Sequence, residues 1–344
     1  MRSRIRTAVV LILAAGLVVL FLHNVDLWRV AAEIIRARPE WLALALLATL
    51  ANLPIRAMRW RFLLEPLGPT RFIAAFRATA VGFAASTVLP ARAGEVIRPY
   101  FLARTDRGER MTATGAFATI ILERLLDVVT VLVLLASYVF VFGRALSTVN
   151  PIAFAAVKWS GATAAAGALF ALGFLFFLAG NPERVEHTLA RLEQVLPSAL
   201  AGLIARIAGK FARGLGTIRR PSRLLIALLW SFPLWLSICV GVWSVAMAFG
   251  FAMPFTGSFL MLALLVLGVA VPTPGAIGGF HEAFRVGATL FFGAPDASAV
   301  GAAIVLHLFS IVPTLMFGVF FAAQEGMNLS TMRRIADTQE HRTA

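Results

Sequence analysis

Long apolar runs alternate along this chain with short, mostly basic links. The runs fall at about 8–22, 41–58, 113–142, 152–180, 224–250 and 298–322. About 20 helical residues cross the hydrocarbon core of a bilayer, roughly 30 Å at 1.5 Å per residue, so the pattern predicts six full spans. Arg2, Arg4 and Arg6 precede the first run as they would in a signal sequence. No small-residue cleavage site follows, so the run is read as a retained span. Residues 23–40 mix charges with apolar residues at helical spacing, the pattern of a helix lying flat at the membrane surface. Residues 181–223 carry eight Lys or Arg and read as one or two basic surface helices.

Two apolar runs are broken by backbone that an ordinary lipid-facing helix does not tolerate. The first break is Leu89-Pro90-Ala91-Arg92-Ala93-Gly94-Glu95-Val96-Ile97-Arg98-Pro99-Tyr100. The second is Val271-Pro272-Thr273-Pro274-Gly275-Ala276-Ile277-Gly278-Gly279 and the polar residues after it. Proline lacks an amide hydrogen and biases the residue before it away from helix. Irregular backbone at membrane depth must be covered by protein or line a cavity. The arms around the second break have about 14 residues each, roughly 21 Å of helix, too short for a comfortable span. Both segments, 72–100 and 258–293, are therefore predicted to be re-entrant helical hairpins.

Charge decides the orientation. With a cytoplasmic N-terminus, most of the 31 lysines and arginines fall in segments facing the cytoplasm, as the positive-inside rule requires. Both termini are then cytoplasmic. The first hairpin enters from the cytoplasm and the second from outside, so span–hairpin–span occurs twice with opposite orientation, an inverted repeat. The expectation is an all-α polytopic membrane protein, a single transmembrane domain over 1–344. Half one is about 41–142 and half two about 224–322, with 181–223 on the cytoplasmic surface.

Composition agrees: 60% of residues are hydrophobic and 14% charged. The net charge of +14 sits in the links, which fits a membrane protein facing anionic headgroups better than nucleic acid. The single cysteine, Cys239, excludes a disulfide framework and a cysteine metal site. No cofactor or metal is expected. High Ala, Arg and Gly content points to a bacterial source and a cell inner (cytoplasmic) membrane location.

Candidate chemistry lies in charges at membrane depth. Glu123, Arg124 and Asp127 fall near the middle of the third span, where each charge costs about 2.5–3.5 kcal/mol to insert. Glu123 and Asp127 share a helix face. Arg92, Glu95 and Arg98 flank Gly94 in the first break; guanidinium grips phosphate in a two-pronged geometry. His281, Glu282 and Arg285 follow Gly278 and Gly279 in the second. These residues are the expected substrate site. Pro90, Gly94, Pro272, Pro274, Gly275, Gly278 and Gly279 form the hairpin backbone. Arg56, Arg59 and Arg61 close the second span and read as side chains snorkelling to the interface, with Arg56 and Arg59 as candidate headgroup contacts. His307 reads as a hydrogen-bonded core residue.

Four motifs in order resemble the flippase-like family related to the transmembrane region of lysylphosphatidylglycerol synthase. They are Arg56-Ala57-Met58-Arg59-Trp60-Arg61, the stretch Leu89–Pro99, Glu123-Arg124-Leu125-Leu126-Asp127, and Pro274-Gly275-Ala276-Ile277-Gly278-Gly279 before Glu282. The resemblance covers roughly 8–325 and implies movement of lipids or lipid-linked molecules between leaflets. Two-part members carry a soluble aminoacyl-transferase domain after the membrane region; this sequence has only the membrane part, so lysyl transfer is not implied. Ala276 and the added Gly279 depart from the family's usual Pro-Gly-Gly-aliphatic-Gly pattern.

The leading expectation is a flippase or transporter of an anionic phospholipid or lipid-linked molecule, with membrane lipid as its substrate. One alternative is an integral membrane enzyme acting on lipid phosphates or lipid-linked sugars. Against it, His281-Glu282 lacks the second histidine of a zinc helix, Arg285 standing in its place. The other is a non-catalytic membrane partner that docks through 181–223. A homo-oligomer and a separate lipid-modifying enzyme stand as candidate partners. No Walker A sequence is present, which disfavours an ATP-driven cycle within the chain.

Overall fold

The computed structural model describes residues 21, 26–89, 93–105, 112–149, 151–180, 220–270 and 273–325. The first predicted span, Pro90, Arg92, Pro272, most of 181–223 and the C-terminal tail lie outside the described residues. What is described is all helical: α1 Leu27–Arg36, α2 Pro39–Leu64, α3 Phe72–Val88, α4 Gly94–Thr105, α5 Ala113–Val149, α6 Pro151–Gly180, α7 Pro221–Ala248, α8 Gly257–Ala270, α9 Gly279–Phe292 and α10 Asp296–Gln324. Four of these helices, α2, α5, α7 and α10, are long and apolar enough to cross a membrane. Helix α6 adds a further apolar rod of 30 residues.

Local chemistry sets the boundaries. The Asp26 carboxylate caps α1 by accepting from the amides of Trp28 (3.0 Å) and Arg29 (3.3 Å). Pro39 and Pro221 occupy first helical positions, where a missing amide costs nothing. Helix α2 runs past the expected end near Met58 to Leu64, because Arg59 and Trp60 on its last turns are buried against protein. Leu89 turns extended (φ −97°, ψ 145°) before Pro90 and ends α3. Pro99 interrupts nothing, and the second arm of this hairpin continues to Thr105.

The short helices pair with each other, α3 with α4 and α8 with α9. Joined by links of a few residues, each pair is antiparallel. Gly94 meets the Gly82 carbonyl and Ser86, while Arg98, one turn on, meets Gly82. A side chain at Gly94 would overlap the Gly82 carbonyl oxygen. The second hairpin repeats the arrangement, with Gly268 against Gly279 and Ala283, and Gly287 against Met261.

Helices α2 and α7 pack along each other, tied by Asn52, whose amide donates to the Leu234 carbonyl (2.9 Å) and the Ser237 hydroxyl (2.8 Å). The rest of the packing pairs up. Helix α10 lies on α3 and α5 lies on α8; α5 contacts α4 and α10 contacts α9; α2 contacts α3 and α7 contacts α8. The turn of the second hairpin meets the last turn of the first hairpin's leading arm. The 3₁₀ turn Pro274–Ala276 packs against α3, with Gly275 (φ +60°) beside the Thr87 carbonyl. One apolar cluster surrounds the first hairpin and another the second.

Gly94→Ala is expected to force the α3–α4 contact apart and to cost about 1–3 kcal/mol. Gly167→Ala, with nothing within 4 Å of its added carbon, serves as the control. Thermal unfolding of both variants in detergent checks the difference.

Candidate functional site

Glu123 and Asp127, one turn apart on α5, point into a space walled by α2, α4 and α7 and are buried. Arg59 of α2 reaches both, with Nη1 2.5 Å from Asp127 Oδ1 and Nη2 3.2 Å from Glu123 Oε1. The same Nη1 donates to Ser231 Oγ of α7 at 2.8 Å, and Trp235 Nε1 donates to Asp127 Oδ1 at 2.9 Å. Arg98 of α4 donates from Nη1 alone to Glu123 Oε1 (3.1 Å) and Oε2 (3.2 Å). Its guanidinium carbon lies 3.8 Å from the centroid of the Trp60 ring, a cation–π contact. Trp60 in turn donates to Thr119 Oγ1 of α5 at 3.0 Å. Arg124 spans the rim, 3.1 Å from Glu123, 3.3 Å from Asp127 and 3.7 Å from Glu95.

Arg56 lies one turn before Arg59, anchored by its Nε to Asn52 Oδ1 (2.8 Å). Its guanidinium sits over the Phe83 ring of α3 (4.9 Å), and the Arg98 guanidinium lies 5.9 Å from the same ring. Arg56, Arg59, Arg98 and Arg124 thus confront Glu95, Glu123 and Asp127, four positive charges against three negative among the described residues. Arg98 Nε and Nη2 and Arg56 Nη1 are buried donors with no hydrogen-bond acceptor. Buried guanidinium donors normally find acceptors, so this network has donor capacity to spare.

Of the expected site residues, the structure gathers Glu95, Arg98, Glu123, Arg124 and Asp127 here. Arg56 and Arg59 join them. Arg59 is fully buried rather than snorkelling, because two carboxylates of α5 meet it; only Arg61 of that trio is exposed. Arg285 goes elsewhere: it forms a two-pronged pair with Asp296 (2.6 and 3.1 Å), donates to the Phe21 carbonyl (3.0 Å) and lies 3.7 Å from Glu282. His281 packs its ring on His307, centroids 4.3 Å apart. The second hairpin's polar residues therefore share no partner with the Arg98 network. Pro274, Gly275, Gly278 and Gly279 form the turn and the start of α9. Sequence reasoning missed Ser231 and Trp235. Their i, i+4 spacing on an otherwise apolar span marks one polar face and was the available signal. Trp60, Asn52 and Asp296 were also missed.

Together these features define a helical membrane protein with a net-positive ionic network buried between a hairpin and its neighbouring long helices. Residues 7–318 match the family described as the lysylphosphatidylglycerol synthase TM region, and the chain belongs to that family. It is also similar to a UPF0104 membrane protein of Methanothermobacter thermautotrophicus, 25% identical over 326 residues that cover 90% of this chain and 91% of that protein.

Removing one partner from a buried ionic network leaves a charge stranded and costs about 3–5 kcal/mol. Asp127→Ala, which leaves four arginines facing two carboxylates and takes the acceptor from Trp235 Nε1, is expected to lose that much stability. Arg61→Gln on the exposed face should stay within about 0.5 kcal/mol of the parent. Denaturant unfolding of the purified protein in micelles compares the two.

Proposed function

We propose that this chain moves an anionic phospholipid or lipid-linked phosphate between membrane leaflets. In this reading α2, α5, α6, α7, α10 and the N-terminal apolar run are six full spans in the cell membrane, with both termini cytoplasmic. The hairpins α3–α4 and α8–α9 are re-entrant from opposite sides, and the two halves form an inverted repeat. Three observations support that topology. The arms are short, 17 and 12 residues in the first hairpin and 14 and 14 in the second. The turn of the second hairpin rests on the end of α3. Exchanging the halves maps the contacts among their own helices onto one another, the α5–α6 and α1–α10 contacts lying outside them.

The observation that carries the function is the set of unaccepted guanidinium donors, Arg98 Nε and Nη2 and Arg56 Nη1, beside the Phe83 ring. A phosphate supplies the missing negative charge and accepts two-pronged bonds from arginine. Glu123 already holds Arg98 through both oxygens. The headgroup therefore enters by displacing part of an internal ion pair and leaves when the carboxylate returns. Binding is kept weak enough for release, which transport requires. The acyl chains remain in lipid, while α4 and the turn of the second hairpin set which side the headgroup reaches.

Proteoliposomes with fluorescent phosphatidylglycerol, phosphatidylethanolamine and polyprenyl phosphate test this. The parent protein is expected to speed inter-leaflet movement of at least one anionic lipid. Arg98→Gln should slow it by about tenfold or more, the worth of a charge-assisted bond, while remaining folded. No acceleration by the parent protein across the whole panel would overturn the reading.

A further inference from the structure

The first hairpin is joined to the helix that follows it by an ion pair, Arg98 of α4 with Glu123 of α5. At the corresponding place in the second hairpin, α9 is joined to α10 by two imidazoles, His281 and His307. The hydrogen bonds fix where their protons lie. His307 Nε2 is 2.8 Å from the Gly275 carbonyl oxygen. A carbonyl only accepts, so Nε2 carries a hydrogen. His281 Nδ1 accepts from the Gly278 amide at 3.3 Å, so Nδ1 carries none. Both bonds end on the turn whose Gly275 rests against Thr87 of the first hairpin. The rings are enclosed by Phe21 and Phe280.

We propose that the His281–His307 pair is a proton-binding site that sets the turn of the second hairpin against the first, so that lipid movement responds to pH. This inference rests on the flippase reading only for its last clause. His307 is the pin: its Nε2 hydrogen holds Gly275 in either protonation state. His281 is the switch. A proton arriving at Nδ1 turns an acceptor into a donor facing the Gly278 N–H, and that bond is lost. The new imidazolium cannot be matched by a second one on a ring 4.3 Å away, so the pair takes up a single proton. The turn is released from α9 on acidification and held on return to neutral pH.

Most of the charged surroundings are already paired. Helix α8 brings no ionisable side chain. Helix α9 brings Glu282 and Arg285, and α10 brings Asp296, which holds Arg285. On α1, Glu33 accepts from Ser298 (2.7 Å), while Asp26 and Arg36 have partners on that same helix or at its cap. On the far side of α10, α3 brings Arg77, held by Glu325, and α7 brings Cys239 and Arg223, the latter held by Glu65. Helix α2 brings Arg56 and Arg59 of the ionic network, the exposed Arg61 and, in its first turn, the exposed Glu40. None of these hydrogen-bonds to either imidazole.

The test is a nitroxide at Thr87→Cys in a Cys239→Ser background, read by electron spin resonance in liposomes without a transport assay. Lowering the pH from about 8 to about 3.5, which reaches below the range in which an ordinary histidine titrates, is expected to change the line shape reversibly. His281→Gln, which accepts but does not titrate, should abolish the change. Nitrogen-15 histidine spectra, with the two ring signals assigned by their loss in His281→Gln and His307→Gln among the five histidines, should show one imidazole of this pair titrating over the same range as the probe. A flat probe signal in the histidine-containing protein, or an equal response in His281→Gln, would overturn the proposal. A probe response lost in His281→Gln, seen beside an absence of lipid movement, would support the proton site and count against the flippase reading alone.

Discussion

A carboxylate pair sunk in the middle of an apolar helix dictates the arrangement around it. Glu123 and Asp127 cannot be left bare at membrane depth, where an isolated charge is expensive. Their partners must come from other helices, because on α5 only Arg124 is near enough. Arg59 comes from α2, Arg98 from α4, and Ser231 and Trp235 from α7. Four elements are thereby brought to one point. The extension of α2 to Leu64, the close approach of the hairpin arms at Gly82 and Gly94, and the stacking of Arg98 on Trp60 all follow from that requirement.

The two hairpins satisfy the same geometric demand with different chemistry. Each needs its second arm fixed to the long helix that follows. In the first, oppositely charged side chains do this inside a ring of aromatic and aliphatic side chains. In the second, the charged pair Arg285–Asp296 lies one turn further along α9 and is partly exposed, and the more buried join is made by imidazoles on backbone groups. The second hairpin is thus the easier of the two to rearrange, and its turn is the part that touches the first hairpin.

Much of this was legible in the sequence. Apolar run length gave the long helices, and proline with glycine gave both breaks, because each acts locally. The same local logic picked out Glu123, Arg124 and Asp127 as a group and Arg98 as their neighbour in chemistry. What was not legible depends on which helix faces which. Arg59 reads as an interfacial arginine until α5 is placed beside it; nothing in Arg56–Arg61 alone separates a buried guanidinium from a snorkelling one. Arg285 reads as a headgroup ligand until Asp296, eleven residues later, is seen to turn back on it across the α9–α10 link. Ser231 and Trp235 carry no charge, so they stand out only once Asp127 supplies a reason for a polar face on α7.

The excess of guanidinium over carboxylate has a consequence for how such a site works. A network with charges balanced and every donor accepted would be a structural lock, since any ligand would have to break bonds without gaining an equal number. A network with several free donors and no nearby carboxylate would hold a phosphate too tightly to release it. Here Arg98 spends one terminal nitrogen on Glu123 and keeps two donors unaccepted, and Arg56 keeps one. In the proposed function, ligand and carboxylate compete for the same guanidinium, and small movements of α4 relative to α5 shift the balance between them. Under the proposed function, that competition is what lets a buried ionic cluster pass an anionic headgroup along rather than retain it.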